Sequence, residues 1–189
     1  IKLYKMKKLL YLFILSIIFM SCKDKTAVVG DFRDGGVVFW VDPLDNTHGL
    51  ICDFRDYLSP VQWGCSGIDS PNLENIPINK GNPLGVGAEI GDGLNNTNNM
   101  KNDCPEALVT NSLESGWFLP SINELKEIYN NRVVINTTAR SNGGNVLGDS
   151  YWSSSERTDK LAWVQNFKFG VQRPYLKSYV YRVRAVRYF

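Results

Sequence analysis

Gly116-Trp117-Phe118-Leu119-Pro120-Ser121-Ile122-Asn123-Glu124-Leu125 contains a helix start that can be read residue by residue. Ser121 and Glu124 stand at capping-box spacing. The hydroxyl accepts from a free amide of the first turn while the carboxylate reaches back to the cap's own amide. Pro120 preorganises the turn that leads in. Ile122, Leu125, Ile128 and Tyr129 then recur on one face at helical spacing, and Asn130-Asn131 ends the run. Upstream, residues 105–111 suit a short helix and residues 95–102 another.

On either side the composition turns to strand. Residues 35–41 are β-branched and aromatic, Asp42-Pro43-Leu44-Asp45-Asn46 is turn chemistry, and residues 49–52 return as a second strand, giving a hairpin. Beyond the helix, residues 151–155, 161–169 and 179–189 read as strands. The order of strands, helices, strands argues for an α+β domain with antiparallel sheets and long structured loops, not a doubly wound parallel sheet. Gly85-Val86-Gly87 does not make a dinucleotide loop, because the third glycine position falls on Ile90 and no strand precedes it.

Of 189 residues, 43% are apolar and 21% charged, which excludes a disordered chain and a multi-span membrane protein. A single histidine, His48, lies beside a turn and leaves little room for a His-based metal site or a Ser-His-Asp relay. No nucleophile–base pair stands out, so an enzyme is the least favoured class.

Met6 reads as the start, followed by Lys7, Lys8 and a 12-residue apolar run to Met20. Spanning a bilayer takes about 20 residues, so residues 1–21 read as a signal peptide. Phe19-Met20-Ser21-Cys22 resembles a bacterial lipobox, which makes Cys22 the lipidated residue and 22–29 a short tether. Two or more acyl chains anchor durably. Lys23 in the following position resembles lipoproteins sent to the outer membrane, periplasmic or surface-exposed.

Cys52, Cys65 and Cys104 remain, an odd number in an oxidising compartment. Three pairings are open. Cys65–Cys104 is favoured because both border the long loop, while Cys52 sits in a strand as a small hydrophobe.

Gly91-Asp92-Gly93-Leu94-Asn95-Asn96-Thr97, the 116–125 stretch, Tyr151-Trp152-Ser153-Ser154-Ser155-Glu156, Ala162-Trp163 and Val183-Arg184-Ala185-Val186-Arg187 together resemble the Lcl C-terminal domain family over residues 30–189. The chain is also similar to the Fibrobacter succinogenes major paralogous domain and, more distantly, to the C-type-lectin-like fold group. The resemblance implies a compact α+β body with two main helices and with its N- and C-terminal strands together, and an extracytoplasmic, adhesin-like or glycan-binding role. The alternative is a structural or assembly lipoprotein without a small ligand.

Two ligand expectations follow from the residues. Asp92, Asn95, Asn96 and Asp103 offer hard oxygens for a structural calcium, though the sugar-binding strings of calcium-dependent lectins are absent and no other cofactor is implied. Residues 30–150 carry a net charge of −9 and residues 151–189 a net charge of +6. This asymmetry suggests a basic face of Arg173, Lys177 and Arg182 for a polyanionic polysaccharide, against mutual neutralisation within the fold. Once residues 1–21 are removed the net charge is −2, so no nucleic-acid partner is read from it. Arg184 and Arg187 are expected to pair with acids such as Glu124 or Glu156, or to stack on aromatics.

Overall fold

The computed structural model describes residues 26–189 apart from 80, 81, 106 and 112. Residues 1–21, read as a signal peptide, and Cys22 lie outside the described residues. The body begins earlier than Gly30: Ala27 is buried, and its amide donates to Asn46 O at 2.8 Å.

Three sheets are present among the described residues. The first holds β1 (Phe32–Arg33), β2 (Gly36–Val41), β3 (Gly49–Asp53) and β11 (Val186–Tyr188) in the order β1-β2-β3-β11. The second holds β4 (Tyr57–Gln62), β7 (Ser150–Thr158), β8 (Leu161–Asn166), β9 (Gln172–Leu176) and β10 (Val180–Val183) in the order β4-β10-β7-β8-β9. A small hairpin joins β5 (Ile78–Asn79) to β6 (Asn82–Pro83). The architecture is α+β. The pairing departs from all-antiparallel at one place, where Arg182 of β10 lies parallel to Tyr151 of β7.

The helices among the described residues are α1 (Asp92–Asp103), α2 (Leu108–Asn111), α3 (Ile122–Asn130) and α4 (Arg132–Ser141). The helical run read from the sequence ends at Asn130-Asn131, whereas in the structure a further helix, α4, starts there. The capping box on α3 is complete, with Ser121 Oγ accepting from Glu124 N and Glu124 accepting from Ser121 N.

The terminal run expected as one strand over 179–189 is two strands in different sheets. Arg184 and Ala185 carry the chain from β10 across to β11. There Val186 exchanges two backbone hydrogen bonds of 2.9 Å with Phe118, so the 116–125 stretch and the C-terminal run meet as one structure. The N- and C-terminal strands share this sheet, with β3 between β2 and β11.

Val37, Phe39, Leu50, Phe118, Leu125, Ile128, Ile135 and Ala139 form the core between the first sheet, α3 and α4. Trp63, Met100, Leu119, Trp152, Val164 and Val183 form a second core under α1. Burying each large side chain contributes about 1.5–3 kcal/mol. The buried indoles keep their donors satisfied: Trp63 donates to Ser153 O at 2.7 Å, Trp152 to Val61 O at 2.9 Å and Trp163 to Ile76 O at 3.1 Å.

Candidate functional site

A groove of about 690 Å³ runs along β9, the outer strand of the five-stranded sheet. Lys126 of α3, Asn82 of β6, Trp163 of β8 and the stretch from Gly170 to Tyr175 line it. Its floor is fixed from both sides. Trp163 packs with Ile76, Ala88 and Ile122 beneath α3. Gln172 donates to Ile122 O at 2.8 Å and ties β9 to the first turn of α3. Gly170, at φ 72°, lies against the Tyr129 ring, where a Cβ would overlap the phenol. Pro174 in the middle of β9 removes a backbone donor from this edge, which discourages strand addition.

The walls are cationic. Arg173 and Lys126 are both exposed, and neither is in an ion pair among the described residues. Tyr175 and Pro174 are half-buried in the same lining and offer apolar surface.

The expected basic face is not assembled. Arg173 lies exposed at the groove. Lys177 is fully buried and ion-paired with Glu156. Its ammonium also donates to Ile68 O at 3.0 Å and lies 4.7 Å from the Trp63 ring centroid. Burial raises the Glu156 carboxyl, and the Lys177 contact opposes that rise. Lys177 is therefore a structural cation and no part of a surface. Arg182 contacts Asp56 at 3.0 Å and Asp149 at 3.4 Å, so its charge is met by carboxylates of the same chain.

The calcium set is not assembled either. Its members lie on a helix instead of a loop, and Asp92 and Asp103 stand at opposite ends of α1, about 16 Å apart at helical rise. Asp92 accepts from Gly87 N at 2.7 Å and Glu89 N at 3.0 Å. Asp103 accepts from Ser70 Oγ at 2.6 Å and Asn72 Nδ2 at 2.8 Å. Asn96 is buried and donates to Gly87 O, while Asn95 is exposed. These oxygens serve turns and helix ends.

Other polar residues have structural partners. Ser153 Oγ donates to Trp163 O, and Ser155 Oγ donates to Gly87 O while accepting from Ile122 N. Arg184 pairs with Asp56 at 2.7 Å, not with Glu124 or Glu156, and Arg187 stacks over Trp117 at 4.8 Å. His48 shares a surface turn with Asp45 at 2.8 Å. Cys65 and Cys104 are joined as a disulfide with Cα atoms 6.0 Å apart. Cys52 is free and buried, and burial pushes its thiol up to about 12.

Lys126, Asn82 and Gln172 are the groove residues that sequence reasoning missed. Lys126 carried a usable signal, as the cation on the solvent face of the capped helix. Asn82 and Gln172 carried none, because their place depends on how β6 and β9 dock on α3.

A model of the Lcl C-terminal domain matches residues 79–187. No curated protein matches the chain. Among solved structures, a fimbrial protein from Bacteroides ovatus is similar, with a TM-score of 0.55 at 16% identity. The match covers 86% of this chain and 46% of that one, so this chain spans less than half the fimbrial protein's length. At that identity the likeness is one of fold. The family match takes in more than half of the sequence, including the capped helix, the groove and the strand crossing, and the chain belongs to the Lcl C-terminal domain family.

Proposed function

We propose that this protein is a lipid-anchored surface module of the bacterial outer membrane that binds a glycan, in the manner of an adhesin, through the β9 groove. One observation carries the reading: Lys126 and Arg173, in no ion pair among the described residues, line one hollow of about 690 Å³ with half-buried Pro174 and Tyr175. That volume falls within the roughly 300–1,000 Å³ of ligand sites. Family membership and the fimbrial-protein likeness support surface association. The lipobox-like residues before Cys22 support an acyl anchor there. The C-type-lectin-like description of the fold is part of the same reading. It is supported by terminal strands in one sheet and by long loops stapled through Cys65–Cys104.

A structural envelope role is the second reading. The ion pairs of Lys177 and Arg182 favour it, because carboxylates of the same chain meet two of the three cations of the expected basic face.

A glycan array at low salt separates the two. The full chain should retain acidic glycans, and Lys126→Ala/Arg173→Ala should lose them at an unchanged melting temperature. Exposed contacts are screened, so retention should fall steeply toward physiological salt. Cys22→Ala in the same preparation should lose palmitate labelling and membrane partition. No retention by the unmutated chain would move the structural role to first place, and equal retention by the double variant would take the β9 groove out of the glycan reading.

A further inference from the structure

We propose that the groove continues past Lys126 into a second hollow, and that the occupant of the joined furrow is a glycan of alternating charge: a carboxylate-bearing sugar followed by a neutral, amide-bearing one. This inference rests on the glycan reading above and specifies the ligand class.

The second hollow is about 410 Å³ and shares Asn82 and Lys126 with the first. Two such lobes meeting at one lysine suit a chain better than a single ring. Their chemistry differs. The first lobe offers Lys126 and Arg173, cations without an ion-pair partner among the described residues. The second offers Glu89 and Glu127 with Asn123 and Asn130.

Neutral donors satisfy these carboxylates without cancelling their charge. Glu89 accepts from Gly85 N at 3.1 Å and Asn123 Nδ2 at 3.3 Å. Glu127 accepts from Asn131 Nδ2 at 2.8 Å and Asn130 Nδ2 at 3.3 Å. The first lobe is therefore lined by two cations and no carboxylate, whereas a second anionic group placed one sugar further on meets two carboxylates against the one shared lysine. Like charge across a binding surface is a means of rejecting partners. Asn123 and Asn130 instead suit hydroxyl and acetamido groups, since each amide both donates and accepts. A densely sulfated chain fits the first lobe and clashes electrostatically in the second.

The test uses the full-length protein in detergent at low salt, titrated with three octasaccharides: hyaluronan, heparin and chitin. Hyaluronan alternates glucuronate with N-acetylglucosamine, heparin is charged at nearly every sugar, and chitin is uncharged. Hyaluronan should bind tightest. Lys126→Ala/Arg173→Ala should weaken it roughly 25-fold, from about fivefold for each of two exposed charge contacts at the upper end of their range. Glu89→Gln/Glu127→Gln should raise heparin affinity. Heparin binding at least as tightly as hyaluronan, or chitin equalling hyaluronan, overturns the alternating-charge assignment and leaves the glycan reading standing. Absence of binding to all three overturns both.

Discussion

Glu124 works from a fully buried position. One carboxylate oxygen accepts from Ser121 N at 2.8 Å and closes the capping box, and the other accepts from Gly91 N at 2.9 Å at the start of α1. Gly93 leaves room for it, since a Cβ there would overlap the carboxylate. The capping role was legible in Ser121-Ile122-Asn123-Glu124, whereas the burial was not, because it depends on α1 packing over α3's first turn. Burial outweighs the hydrogen bonds from Ser121, Gly91 and Gly93 and raises this carboxyl from 4.5 to about 7. Between those values the folded chain holds more protons than the unfolded one. The stabilisation is full below about pH 4.5 and is lost as pH rises through 7. Urea unfolding at stepped pH should show a decline on the order of 3 kcal/mol from this group. Glu124→Gln should flatten it, whatever its offset at a single pH. A variant with the wild-type slope would assign the dependence elsewhere. Lys177 shows the opposite limit of residue-level reading. The charge asymmetry placed it on a basic face, but Glu156, 21 positions upstream, holds it inside.

At the scale of elements, local chemistry was legible where it was strong. The β2–β3 hairpin and the capped α3 follow from turn residues and periodicity. The helix α4 did not show itself, because Val133, Val134, Ile135, Thr137 and Thr138 are β-branched and favour strand. Ile135 and Ala139 are buried in the first core, and that packing overrides propensity. The last strand read as continuous because nothing in its composition marks the crossing at Arg184-Ala185. The Cys65–Cys104 bridge carries a prediction at this scale. It links residues 39 positions apart, from the segment after β4 to the end of α1. On the loop-entropy account that constraint contributes about 4 kcal/mol. Denaturant unfolding with and without reductant should differ by that order. Cys52 should stay unlabelled by alkylating reagents in the folded protein, since its thiol is buried and held protonated. Equal unfolding midpoints in the two conditions would show that the loop is held without the bridge.

The molecule as a whole depends on two adjacent passages between its sheets. The chain leaves β3 for β4 through residues 54–56, and returns from β10 to β11 through Arg184 and Ala185. Asp53 N donates to Ala185 O at 2.9 Å and stitches the passages together. Arg184, fully buried, reaches three points at once: Asp53 O at 2.8 Å, Asp56 Oδ1 at 2.7 Å and Asn145 O at 3.1 Å. It thus holds both crossings and the loop after α4. Asp56 is shared further with Arg182 and with the Tyr151 hydroxyl at 2.9 Å. A planar guanidinium can serve several acceptors in fixed directions, and a lysine ammonium of different reach cannot. Arg184→Lys should therefore cost about 3 kcal/mol even though the charge is kept. The loss should also be distributed unevenly. In the wild type the slow amides of β2–β3 and of β7–β8 should exchange at one common free energy, as a single cooperative unit does. In the variant, amides such as Ile51 and Cys52 should exchange sooner than those of Trp163 and Val164, because the first sheet loses its tie while the second keeps its own core. Equal acceleration across both sheets would mean that the sheets are coupled through α3 and the Phe118–Val186 pairing, and that Arg184 contributes only its share of overall stability.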